Sequence, residues 1–72
     1  MFSITLQRAQ HVRQYSVTPE GAGWELTLQE DQQLTRQTRY QDWHRVERAV
    51  ARVRREVADL AAQGWEVKST SP

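Results

Sequence analysis

Apolar positions recur with a period of two as far as Tyr40 and with a period near 3.6 beyond Asp42. The opening run "FSITL" sets Phe2, Ile4 and Leu6 against Ser3 and Thr5. "VRQYSVT" sets Tyr15 and Val17 against Gln14, Ser16 and Thr18. Such alternation gives an extended strand one apolar and one polar face. "PEGAG" at 19–23 reads as a turn, because Pro fixes φ and glycine permits positive φ. "WELTLQ" alternates again, with Trp24, Leu26 and Leu28 directed inward, and "EDQQ" is a polar turn. "LTRQTRY" resumes extended structure with strand-favouring Thr and Tyr. The runs predict a meander of adjacent antiparallel strands.

Asp42 ends the period of two, and its carboxylate suits an N-cap. Trp43, Val46, Val50, Val53, Val57 and Leu60 then follow at 3-4-3-4-3 spacing, an apolar stripe on one side of a helix. Ala49, Ala51, Ala58, Ala61 and Ala62 flank it and favour helix, and Gly64 stands where a left-handed residue stops one. "WEVKS" restarts the strand period with Trp65 and Val67 inward. The element order is β-β-β-β-α-β.

One-sided strands and a one-sided helix predict an α+β fold: a two-layer, antiparallel meander sheet of 3–5 strands with one long helix packed on one face, the whole of residues 1–72 forming a single domain. A coiled-coil seam would use the same spacing but would leave the sheet uncovered. Val46, Val50, Val53 and Val57 are the expected core positions. A helix from Asp42 to Gln63 would be about 33 Å long, against about 20 Å for a six-residue strand, so part of it is expected to overhang the sheet.

Composition narrows the class. A chain of 72 residues buries only about 60% of its unfolded surface, so its core is small unless shared with a second copy. The chain has no cysteine, which removes disulfides and thiolate metal sites. "MFSITLQRAQ" lacks the basic and apolar regions of a signal peptide, and no apolar run reaches membrane-spanning length. A cytoplasmic protein is expected.

Ten basic residues against nine acidic ones leave a net charge of +1, so no general electrostatic pull on nucleic acid exists. Nine of the bases are Arg, which suits bidentate recognition of phosphate and carboxylate. Ile4 is the only Ile and Asn is absent, however, and GC-rich coding accounts for all three biases.

Candidate chemistry is sparse. His11 falls in the polar "QRAQH" link and reads as solvent-exposed. "DWHRVE" could offer Asp42, His44 and Glu47 to a metal, but an N-cap carboxylate points at the backbone and two ligands leave a zinc site short. Glu30 and Asp31 lie in a turn with no apolar surroundings to perturb their pKa values. "GAG" lacks the lysine of a phosphate-binding loop. No catalytic residue, cofactor or metal is therefore expected.

The densest chemistry is in "DWHRVERAVARVRREVADL", which holds five of the nine arginines. Arg45, Arg48, Arg52 and Arg55 recur at 3-4-3 spacing opposite the valine stripe. Asp42, Glu56 and Asp59 stand three or four residues from Arg45, Arg52 and Arg55, where ion pairs are within reach. Arg48 and Arg54 have no such acidic neighbour, although Arg54 could bridge to Glu25 or Glu66 on the sheet. The expected open sheet face, comprising Gln14, Ser16, Thr18, Glu25, Thr27, Gln29, Thr35, Gln37 and Arg39, carries no aromatic platform for bases. Nucleic acid would therefore be held through phosphates by the arginines.

The succession of "WELTL", a polar turn, "LTRQTR", a helix and "GW" over residues 24–66 resembles the layout of WGR domains, small modules that accompany DNA-repair and poly(ADP-ribose) proteins. "RYQDW" stands where the Trp-Gly-Arg triplet would be, so no functional residue carries over. The layout equally resembles short bacterial proteins built of a meander, one helix and a final strand. The expectation is a small non-catalytic interaction module that binds a protein or a second copy of itself. The alternative is sequence-nonspecific nucleic-acid binding through Arg45, Arg48, Arg52, Arg54 and Arg55.

Overall fold

The computed structural model describes residues 2–71. Strands β1 (Ser3–Arg8), β2 (His11–Glu20), β3 (Gly23–Glu30) and β4 (Gln33–Tyr40) are followed by helix α1 (Trp43–Ala62) and strand β5 (Glu66–Ser71). They form an α+β, two-layer fold in which α1 lies on one face of an open five-stranded sheet of order β4-β3-β2-β1-β5. Every neighbouring pair is antiparallel. β4 and β5 therefore point the same way but sit at opposite edges, and α1 carries the chain across the sheet between them.

The turns are tighter than expected. β2 runs on through Pro19 and Glu20, so the turn before β3 shrinks from 19–23 to Gly21 and Ala22. Proline is tolerated there because β1 has already ended and no strand on that side needs its N–H. Asp31 and Gln32 take φ of 53° and 70°, the left-handed pair that a two-residue hairpin turn requires. Gly23 is set by proximity: a Cβ there would run into the carbonyl of Tyr40.

The helix ends fall where the sequence places them. Asp42 is extended, and its side chain accepts from the backbone N–H of His44 at 2.9 Å. At the other end Gly64 adopts φ +102°, Gly64 N donates to Ala61 O, and Trp65 N donates to Leu60 O. That pair of bonds is a Schellman closure, and it needs a residue that accepts left-handed geometry.

Ile4 and Leu6 of β1, Tyr15 and Val17 of β2, and Leu26 and Leu28 of β3 are buried beneath Val46, Ala49 and Val53. The helix is thus turned slightly from the expected orientation. Ala49, read as a flank, is buried, while Val50 and Val57 pack only partly against the core. A methyl group at position 49 lets the helix backbone approach the sheet. β2, β3 and β4 are also longer than the six residues expected, at 10, 8 and 8, so the sheet extends further along the helix. Uncovered apolar surface lies along the flank of α1 rather than beyond its end.

The sheet residues buried under α1 come from β1, β2 and β3, whereas every residue of β5 is exposed. Val67, expected inward, is accordingly 41% exposed, and Trp65 is half-buried. A second departure comes from a β-bulge. The β3–β4 register shifts between Leu28 and Gln29, so Leu34 pairs with Gln29 and joins the polar face, where it is 52% exposed. Beyond the bulge Arg36 lies opposite Leu28, on the face that α1 covers.

Arg36 closes a polar network under the helix. The Tyr15 hydroxyl donates to Glu56 Oε2 at 2.9 Å, and Arg36 donates to Glu56 Oε1 at 3.4 Å. Arg13 donates to the Tyr15 oxygen at 3.4 Å, pairs with Glu30 at 2.7 Å, and lies 5.3 Å from the centre of the Trp65 ring. Burial raises the Tyr15 pKa above its usual 10.0; the Arg13 hydrogen bond opposes this and Glu56 reinforces it. Folding therefore favours the protonated phenol. Its stabilisation is complete below pH 10 and is lost as pH rises through the raised value.

The core sets two measurable stabilities. Val53→Asp would place an unpaired charge at a site only 2% exposed, at a cost of several kcal/mol against a total stability of roughly 5 kcal/mol. Thermal melting followed by circular dichroism should show an unfolded chain, and a wild-type melt would mean that Val53 does not face the sheet. Tyr15→Phe should lower stability by about 1 kcal/mol at neutral pH. In urea titrations the variant should also lose less stability above pH 10 than the wild type, and parallel losses would exclude Tyr15 as the source.

Candidate functional site

α1 separates two kinds of surface. At 100° per residue, Arg45, Arg48, Arg52 and Arg55 fall on the back of the helix and on the side nearer β4. All four are exposed, and among the described residues none has a carboxylate ion-pair partner. The local relief expected from Glu56 is absent because that carboxylate turns inward to Tyr15 and Arg36. Asp42 is likewise occupied by its capping bond to His44. The stripe is positive, with the exposed Asp59 at its C-terminal end.

Arg54 does not belong to it. Its guanidinium carbon lies 5.2 Å from the centre of the Phe2 ring, on the opposite flank of the helix. The carboxylates proposed for it are engaged elsewhere: Glu25 accepts from Gln37 at 2.6 Å and lies 3.6 Å from Arg39, while Glu66 pairs with Lys68 at 3.2 Å. Arg54 instead marks the rim of a feature not foreseen in the sequence. Phe2, Val17, Trp43, Val46, Val50 and Ala51 line an open groove of about 540 Å³, with Glu47 and Arg54 beside it.

This groove exists because the apolar sector of α1 is wider than the face the sheet covers. Trp43, assigned to the core stripe, is 49% exposed and rests against Trp24, with ring centroids 5.1 Å apart and a tilt of 59°. The signal was present as a lean of Trp43 and Val50 toward the alanines at 51 and 58. Read as one stripe, these residues all face a single surface.

The remaining candidates stay apart. His11 hydrogen-bonds Asp31 at 2.9 Å, and Asp31 also accepts from Val12 N at 2.9 Å. Contrary to expectation, the Asp31 carboxyl is perturbed: the His11 hydrogen bond, then the Val12 amide, hold its pKa below the ordinary value. A lowered pKa suits a structural latch between β2 and the β3–β4 turn. His44 stands 4.0 Å from Glu47, and among the described residues no three His, Asp or Glu side chains are grouped to hold a metal ion. On the open sheet face Ser16 and Thr27 share a hydrogen bond at 2.7 Å and Glu25 binds Gln37, so the polar side chains pair with one another across strands. No helix among the described residues is long and apolar enough to cross a membrane. Comparison of the chain with protein-family models, with curated proteins and with solved structures returned no match.

Proposed function

We propose that this chain is a non-catalytic protein-interaction module whose docking face is the groove between the first half of α1 and the start of β1. The observation that carries this reading is that the half-exposed Trp43 and the Phe2 ring line one apolar groove. Aromatic side chains at the centre of a concave apolar surface are the usual anchors of protein interfaces. The partner is another protein or a second copy of this chain.

A second reading rests on the unpaired arginines. Arg45, Arg48, Arg52 and Arg55 could bind phosphates of nucleic acid without reading sequence. It ranks lower because the net charge is only +1 and the open sheet face offers no aromatic for base stacking.

Ala51 is exposed and lines the groove, so Ala51→Arg should obstruct docking while leaving the fold intact. A protein captured by the immobilised wild-type chain, once purified, should bind the variant at least about tenfold more weakly, a change of roughly 1.4 kcal/mol. Equal affinity for both would remove the groove from the interface. For the second reading, four phosphate contacts would make log K fall with log salt at a slope of about −3 to −4. Anisotropy titrations of duplex and single strand at about 0.1 M salt are expected to be flat. A steep isotherm lost in the Arg48→Glu, Arg52→Glu double variant would reverse the order of the two readings.

A further inference from the structure

The groove flank of α1 has a pattern that repeats in reverse. Trp43, Glu47, Ala51, Arg54 and Ala58 follow one another at 4-4-3-4 spacing, which keeps them on one side of the helix. Glu47 and Arg54 are centred on the point between positions 50 and 51. Trp43 and Ala58 are centred on the same point, and Val50 and Ala51 flank it directly. An antiparallel copy of this helix, related by a two-fold axis through that point, would meet it with opposite charge on charge and large side chain on small.

We infer that the occupant of the groove is a second copy of this chain, in a two-fold dimer whose α1 helices run antiparallel with the axis beside Val50 and Ala51. This rests on the reading of the groove as a docking face and names what docks there. A closed two-fold interface must be self-complementary, each residue meeting its counterpart twice. Glu47 of each copy then meets Arg54 of the other, two symmetric ion pairs about 10 Å apart along each helix. Both residues are free to do so. The Glu47 side chain is 58% exposed with only His44 near it, at 4.0 Å, and Arg54 is exposed at the rim beside Phe2. Trp43 of each copy lies over the small Ala58 of the other, which removes the half-exposed indole from water. Ala51, at the axis, lets the two backbones approach.

The charge pattern supplies the test. By sedimentation equilibrium at high micromolar concentration the wild-type chain should show twice its 8.5 kDa mass. Glu47→Arg and Arg54→Glu each set like charges opposite each other at two places, and each variant alone should sediment as a single chain while keeping wild-type circular dichroism. The first variant carries arginine at both positions and the second carries glutamate at both. Mixed in equal amounts, they bring opposite charges together again at both contacts, and the doubled mass should return. Ala51→Arg, at the axis, should also give single chains. A wild-type species of 8.5 kDa, variants that remain dimeric, or a mixture that stays at single-chain mass would each overturn the inference. A monomeric wild type that still binds another protein through Ala51 would end the second-copy assignment but leave the docking face standing. Loss of both would end both.

Discussion

One α-helix cannot cover five strands. Strands spaced about 4.8 Å apart make this sheet roughly 19 Å wide, whereas a helix with its side chains is about 10–12 Å across. The short chain provides a single helix, so the outer strands must be protected by other means. Placing α1 over β1, β2 and β3 buries their apolar residues and leaves the outer strand β5 exposed. The exposed Val67, the half-buried Trp65 and the groove at Phe2 all follow from that placement. Only side chains long enough to reach across close the gap, as Arg13 does when its guanidinium lies over Trp65.

The sheet edges are managed differently. β4 bulges at Thr35, whose hydroxyl bonds to Leu28 O, and it bears Arg36 and Arg39. On the opposite edge, the β1–β5 register shifts between Thr5 and Leu6, leaving Lys68 out of the pairing. A bulge and a cation on an outer strand both discourage another strand from adding to it. The edges are therefore guarded against strand addition, whereas the flank of the helix is left uncovered.

Much of the fold was legible because it depends on local chemistry. Asp42 and Gly64 mark the helix ends through caps that require their residue types, and alternation located the five strands. The bulge at Thr35 was not legible. A single unpaired residue does not interrupt a run such as "LTRQTRY", yet it moves Leu34 to the opposite face. The preference for Ala49 over Val50 in the core was hidden for a similar reason, because hydrophobic size does not report how closely the backbones pack. Of the candidate site, the arginine stripe was visible in its spacing. The groove was not, since it depends on which strands the helix covers.

The lack of an acidic partner for Arg52 has a structural origin in the same network. Glu56 stands four residues after Arg52 and would ordinarily offset it, but the buried Tyr15 hydroxyl draws that carboxylate under the helix. Closing the core thus leaves the back of α1 more positive than the sequence implies. A guanidinium in water is well solvated, and an exposed ion pair contributes only about 0–1 kcal/mol, so an unpaired stripe of arginines imposes no demand for a ligand. Exposed indole and phenyl surface does impose one, at about 25 cal/mol for each Å² left in water. The two flanks of one helix are therefore unequal as functional surfaces: the charged flank is stable alone, whereas the apolar flank gains stability only when something covers it.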